Sequence, residues 1–107
     1  MSKYKNIKTT IDGITFASKR EATRYSELKL LEKAKAITNL RLQVAYVLTQ
    51  ALDGEYRKER AMTYVADFVY EANGVTFVED SKGKRTQEYI NKRKMMLAVH
   101  GISIYET

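Results

Sequence analysis

The dipeptide Asn73-Gly74 constrains the fold of this sequence more than any other feature. Asn-Gly is the strongest short signal for a two-residue type I′ turn, because both residues tolerate the positive φ angles that this turn requires. Residues 62–70 before it and 75–82 after it are rich in aromatic and β-branched side chains. The sequence therefore predicts two adjacent antiparallel strands joined by a tight turn.

The turn also fixes which residues lie opposite one another. Counting outward along both strands places Asp67 directly opposite Asp80. Opposed residues of an antiparallel pair have Cβ atoms about 4.5–5.5 Å apart, so two like charges there repel each other unless something offsets them. Alternation puts Lys82 on the same face as Asp80, and Glu79 on the opposite face. The even-numbered residues from 62 to 70 should all share the face opposite Asp67.

The first third of the chain predicts a hairpin followed by a helix. Asp12-Gly13 lies between two apolar runs, which is again the pattern of a two-residue hairpin. Ser18 can cap a helix, and Glu21 three residues later completes a capping-box pattern. Apolar residues then recur at helical spacing, and we expect this helix to run to about Lys35.

The remaining chain predicts two further strands, a polar loop and a second helix. Residues 42–48 alternate in polarity, as a half-buried strand does, and a polar loop over 53–60 follows. Thr86 can cap the second helix, Gly101 can end it, and residues 102–105 can form the last strand. The second helix is then a right-handed crossover, which makes the last strand parallel to the second hairpin strand.

Scarce residue types limit the possible chemistry. The 107 residues include no cysteine and one histidine, His100, which excludes disulfides, thiolate nucleophiles and multi-histidine zinc sites. We expect His100, near the end of the second helix, to be a C-terminal capping or packing residue rather than a catalyst. A metal must then take oxygen ligands, which favours Mg²⁺ or Mn²⁺. The length predicts one domain over 1–107, with the hairpin in 1–17 and a core in 18–107.

Charge and hydropathy indicate the partners and the compartment. A net charge of +6 and a pI near 9.5 favour a polyanionic partner such as nucleic acid. No apolar stretch is long enough to cross a bilayer, and residues 1–5 lack the apolar core of a signal peptide. We therefore expect a soluble cytoplasmic protein with no membrane partner.

Asp67, Asp80 and Lys82 form the candidate active site. Two carboxylates can hold a hard divalent cation, and a lysine beside them can assist deprotonation of water or stabilise charge on a phosphate. This set suits phosphodiester hydrolysis, although Lys82 can also form a plain surface ion pair with one aspartate. Glu21 has two interpretations as well, a helix cap or a third metal-site carboxylate.

The region after the second hairpin strand is strongly basic. Its cations are Lys82, Lys84, Arg85, Lys92, Arg93 and Lys94. They can form a solvated helix surface, or they can attract phosphates toward the carboxylates. We predict that all of them except Lys82 bind nucleic acid through phosphate contacts.

This pattern resembles the PD-(D/E)XK nuclease superfamily, with Glu21 in a leading helix, Asp67 in a strand and Asp80-Ser81-Lys82 in the next. The residue before Asp67 is Ala66 rather than proline. The stretches SKREATRYSELKLLEKAKAI and YVADFVYEANGVTFVEDSKG also resemble small phage-encoded recombination nucleases related to Holliday junction resolvases. The resemblance covers about residues 18–105. It implies an α/β fold with a restriction-endonuclease-like core of helix, three antiparallel strands, helix and parallel strand.

The resemblance also implies a function, a Mg²⁺- or Mn²⁺-dependent DNA endonuclease. Asp67, Asp80 and Glu21 would be its metal ligands, and Lys82 its catalytic lysine. We expect selectivity for branched DNA such as Holliday junctions in phage recombination, in the host cytoplasm. A homodimer is expected because resolving a junction takes two opposed cuts.

Two other functions are compatible with the sequence. A non-catalytic DNA-binding or recombination-accessory module on the same fold would keep the basic surface but has no need for facing carboxylates. A small protein that binds or inhibits another protein is the third alternative.

Overall fold

The computed structural model describes residues 7–107 of a mixed α/β chain with two helices. Residues 1–6 lie outside the described residues. Two predictions concern them, the start of the segment 1–17 and the absence of a signal peptide. The helices and strands are, in chain order, β1 (Thr9–Ile11), β2 (Ile14–Phe16), α1 (Lys19–Lys33), β3 (Thr38–Thr49), β4 (Leu52–Asp53), β5 (Lys58–Glu59), β6 (Met62–Ala72), β7 (Val75–Asp80), α2 (Gln87–His100) and β8 (Tyr105–Glu106).

The main sheet has four strands in the order β3-β6-β7-β8. Strands β6 and β7 are antiparallel, in a register that runs from Ala72↔Val75 at the turn to Phe68↔Glu79. Asn73 and Gly74 both have positive φ, 52° and 77°, as a type I′ turn requires. Strand β8 is parallel to β7. The predicted hairpin, its register and the parallel last strand are confirmed.

The helix caps also follow the sequence signals. Ser18 Oγ accepts a hydrogen bond of 3.1 Å from the Glu21 backbone N–H, and Thr86 Oγ1 accepts one of 3.1 Å from Tyr89. Helix α2 ends at Gly101, which has a left-handed φ of 68°. Helix α1 ends two residues before the predicted Lys35, which itself adopts a φ of 63° and so leaves the helix.

Several predicted boundaries were wrong. The strand predicted over 42–48 spans Thr38–Thr49, and the strand predicted over 75–82 ends at Asp80. The last strand is Tyr105–Glu106 rather than 102–105, because Ile102 and Ile104 pack against the core beside α2 before the chain reaches the sheet. The predicted polar loop over 53–60 contains the short antiparallel pair β4 and β5. We call residues 50–61 the arm.

The two helices cover opposite faces of the main sheet. Phe68 of β6 packs into a core with α1, whereas its neighbour Val69 packs into a second core with α2. Adjacent residues of a strand point to opposite faces, so the sheet lies between the helices. Among residues 7–107, neither helix is long and apolar enough to cross a membrane.

The sheet does not keep one alternation along its length. On β6, Phe68 and Tyr70 pack with α1, whereas Tyr64 and Ala66 pack with α2. The prediction that these even-numbered residues share one face is therefore wrong. The change lies between Ala66 and Phe68, and their partners on β3, Val44 and Leu42, change face at the same level. Gln43, between these two partners, has a left-handed φ of 53°. A left-handed residue interrupts the alternation of a strand, and it does so here directly beside Asp67.

Candidate active site

Asp67 and Asp80 meet where the pairing of β6 and β7 ends. Asp67 lies one residue beyond the last paired residues, Phe68 and Glu79, and its carboxyl group interacts with that of Asp80. The backbone N–H of Ser81 donates a hydrogen bond of 2.9 Å to Asp67 Oδ2. Asp80 is only 2% exposed. The hairpin thus brings two carboxyl groups together in a largely buried position.

Asp80 has one bonded and one unbonded carboxylate oxygen. The Tyr64 hydroxyl donates a hydrogen bond to Asp80 Oδ2. Burial, and then this bond, raise the pKa of Tyr64. Oδ1 is buried and has no hydrogen-bond donor within the described residues. The Lys82 ammonium lies 3.5 Å from it, at ion-pair range, and 4.5 Å from the centre of the Tyr89 ring. A buried carboxylate oxygen without a donor is costly, which makes it a position for a cation.

Burial and the neighbouring carboxylate perturb Asp67. Burial, and then the negative charge of Asp80, raise the pKa of Asp67 to about 7, against the lowering effect of the Ser81 N–H. Glu21 adds a smaller repulsion. Asp67 therefore does not easily carry its negative charge beside Asp80 at neutral pH unless a cation lies between them.

Glu21 lies close to this pair but is separated from it by an amide. Gln43 Nε2 is 3.4 Å from Glu21 Oε2 and 3.4 Å from Asp67 Oδ1. Burial raises the pKa of Glu21, and the charge of Asp80 raises it further, while Lys82 lowers it. The Glu21 carboxylate thus faces the site, and its backbone N–H serves the Ser18 cap. Sequence analysis did not identify Gln43, because no local pattern predicts a left-handed residue at this position.

These residues fit a divalent cation of the oxygen-preferring kind. Asp67 and Asp80 supply carboxylate oxygens, one of them without a hydrogen-bond donor, and Glu21 lies one side chain away. Within residues 7–107, no three carboxylate or imidazole groups already form a closed metal-binding cluster. Two carboxylates with remaining positions filled by water or phosphate is an arrangement that Mg²⁺ accepts.

An open cleft of about 300 Å³ gives access to the carboxylates. Asp67, Asp80, Lys82, Tyr89 and Lys92 are among its lining residues. With Glu88, the lining holds three acids and two cations, so a metal cation between the carboxylates would be needed before the cleft could attract an anionic ligand. The cleft brings together the predicted catalytic pair, the predicted lysine and one of the predicted phosphate contacts.

The other predicted phosphate contacts are two arginines that bond to an acid and two exposed lysines. Arg85 and Arg93 both bond to Glu106, at 2.9 and 3.0 Å. The bond to Arg85, then that to Tyr89, holds the pKa of Glu106 down at about 2. These arginines tie α2 and the preceding loop to β8. The cations at positions 84 and 94 are exposed.

Glu79 has a structural role and is not among the residues that line the cleft. It is fully buried, as predicted on the face opposite Asp80, and the Arg24 guanidinium bonds both of its oxygens. Tyr70 and Thr107 donate their hydroxyls to the same carboxylate. The pKa of Tyr70 rises to about 12, first through burial and then through its bond to Glu79.

His100 is a packing residue, as expected. Its Nε2 lies 2.7 Å from the Val47 carbonyl oxygen, and its ring packs against Tyr46.

Fold and site together define a small mixed α/β protein with two aspartates and a lysine at an open cleft. The chain belongs to the DUF1064 family, described as a protein of unknown function, whose model matches residues 1–102. Neither a curated protein nor a solved structure matches the chain.

Proposed function

We propose that this chain is a divalent-metal-dependent DNA endonuclease that hydrolyses phosphodiester bonds. The observation that carries the proposal is Asp80, a buried carboxylate whose Oδ1 makes no hydrogen bond and has only the Lys82 ammonium at 3.5 Å, placed beside Asp67 at an open cleft. A purely structural carboxylate in such a position would be expected to have its oxygens bonded. The net charge of +6 is consistent with a polyanionic substrate.

Each residue has a distinct role in this proposal. Asp67 and Asp80 hold Mg²⁺ or Mn²⁺, and Glu21 takes part as the third acid from α1. The metal, when bound, polarises a phosphoryl oxygen and lowers the pKa of water. Lys82 is placed by Asp80 and the Tyr89 ring to stabilise negative charge on the phosphate or to orient the attacking water.

The finer parts of the proposal are the core type, the substrate and the assembly. The order of helix, three antiparallel strands, helix and parallel strand supports a restriction-endonuclease-like core. We propose branched DNA, with Holliday junctions in phage recombination as the leading substrate, and a homodimer that supplies two opposed cuts. Light scattering with and without a four-way junction measures this assembly, and a monomer that cuts linear duplex as fast as junctions contradicts it.

The decisive experiment compares cleavage by the wild type and by Asp80→Asn. Labelled branched, duplex and single-stranded DNA is incubated with Mg²⁺, Mn²⁺ or EDTA. We expect metal-dependent cleavage by the wild type and none by Asp80→Asn or Asp67→Asn, since each loses a metal ligand. Glu71→Gln is the matched control, because Glu71 lies on the same strand β6 but bonds Arg41 and Asn39 outside the cleft.

Two results would contradict the nuclease proposal. Near-normal cleavage by either aspartate variant would show that the site lies elsewhere. Binding of DNA by a wild type that never cuts it, with no change in melting temperature on adding Mg²⁺, would favour the non-catalytic accessory module instead.

A further inference from the structure

The arm carries an exposed aromatic side chain at its tip. Tyr56 is 87% exposed, the most exposed of the large hydrophobic side chains among residues 7–107. The tip is a closed turn, in which the Gly54 N–H donates a hydrogen bond of 2.9 Å to the Arg57 carbonyl oxygen. A Cβ at Gly54 would lie 2.8 Å from that oxygen, so the turn requires glycine there. The arm thus presents Tyr56 on an ordered turn.

A groove connects the arm to the carboxylate cleft. It has a volume of about 660 Å³ and runs between residues 58–63 and the first two turns of α2. Thr63, Glu88 and Lys92 line both this groove and the cleft, so the two adjoin, with the 3.3 Å ion pair between Glu88 and Lys92 at their border. A polymer that passes Asp80 in the cleft can therefore continue toward the arm.

The charge of the groove suits one strand of nucleic acid better than a duplex. Its cations are Lys58, Arg60 and Lys92, and its acids are Glu59 and Glu88. This balance is only slightly positive, whereas duplex binding depends on many phosphate neutralisations. Proteins that bind single strands combine a modest basic groove with aromatic side chains on which unpaired bases stack. Tyr56 supplies such an aromatic surface.

We propose that the groove and the arm form a binding surface for a single-stranded segment of DNA, with Tyr56 stacking on an unpaired base. Lys58 and Arg60 contact the phosphates of that segment. The proposal rests on the proposed nuclease function, and it specifies that function's substrate as DNA in which an unpaired segment adjoins the cut site.

The test measures binding in EDTA, where no cleavage occurs. Two fluorescein-labelled probes are compared by anisotropy, a blunt duplex and the same duplex with a single-stranded tail. Tyr56→Ala should weaken binding of the tailed probe by about tenfold, the loss of one base stack, and leave the blunt probe within about twofold. Tyr56→Phe should bind like the wild type because it keeps the ring. Leu30→Ala, which removes another exposed apolar side chain on α1, is the control.

Charge variants provide a second measurement on the same probes. Lys58→Ala and Arg60→Ala should each lower the salt dependence of tailed-probe binding by about 0.7 to 1 in logarithmic slope. Lys33→Ala, at the end of α1, should not change it.

The outcomes separate this proposal from the nuclease proposal. Unchanged tailed-probe binding by Tyr56→Ala, or equal losses on both probes, overturns the arm proposal even if the wild type cuts DNA. Such results would leave the arm as a surface for a protein partner. Selective loss of tail binding supports the arm even if no cleavage is ever detected.

Discussion

Replacing Asp67 by asparagine should stabilise the protein in the absence of metal. The perturbation is small in shape, since the asparagine oxygen can still accept the Ser81 N–H bond. The substitution removes a negative charge that is destabilised by burial and by repulsion from Asp80. The free energy of unfolding should therefore rise, although the variant loses a proposed metal ligand.

The pKa of Asp67 sets the size and pH range of this gain. A carboxyl whose pKa rises from 3.8 to about 7 on folding lowers the free energy of unfolding by at most about 4 kcal/mol at high pH. Because Asp80 shares the repulsion, we expect a measured gain of about 1–3 kcal/mol. The penalty is absent below pH 3.8, where folded and unfolded Asp67 are both protonated. It grows as pH rises to about 7 and is constant above that.

Urea unfolding in EDTA at pH 4 and pH 8 measures the effect. Asp67→Asn should match the wild type at pH 4 and exceed it at pH 8. Glu71→Gln should behave in the opposite way, because its bond to Asn39, and then that to Arg41, lowers the pKa of Glu71 and so stabilises the fold at neutral pH. An Asp67→Asn variant no more stable than wild type at pH 8, or one with the same gain at pH 4, would refute the reasoning.

Three further predictions concern the cations and their partners. Lys82→Ala should lower single-turnover cleavage by about 10²- to 10⁴-fold and DNA affinity by less than about threefold; equal losses would make it an ordinary phosphate contact. Lys92→Ala and Lys94→Ala should each reduce the slope of duplex binding in a salt titration by about one, because the acid paired with Lys92, Glu88, is exposed and easily displaced. Arg93→Ala should leave the slope unchanged, because the largely buried Glu106 holds Arg93. Glu106 stabilises the fold above about pH 4.5, and this contribution is lost as pH falls toward 2, so Glu106→Gln should remove that acid-side decrease in urea stability.

Local signals in the sequence were enough to predict the parts of the fold that depend on few residues. Asn73-Gly74 determines its own turn, and the turn determines the pairing that brings Asp67 to Asp80. Ser18 and Thr86 likewise act through a backbone N–H three residues away. Such interactions are local, so their residue types and spacing contain the information.

The parts that were not predicted depend on contacts between distant segments. The Arg24–Glu79 pair joins residues far apart in the chain, and no local pattern indicates it. The left-handed backbone of Gln43 is imposed by its neighbours, since glutamine itself does not favour that conformation. The arm contains two strands of two residues each, which are too short to show the alternating pattern of a strand in the sequence.

The left-handed conformation of Gln43 has a consequence for how this site can change by mutation. A left-handed backbone at a residue other than glycine or asparagine costs about 1 kcal/mol or more. The conformation of Gln43 therefore lowers the free energy of unfolding. Gln43→Asn should relieve that cost while leaving an amide one methylene too short to reach Glu21 and Asp67 together. Random mutation followed by screening for heat resistance should therefore select substitutions at Gln43, and the selected proteins should show altered metal affinity. Stability and site geometry are therefore opposed at this residue. Glutamine at this position in related sequences would indicate that natural selection has favoured the site geometry.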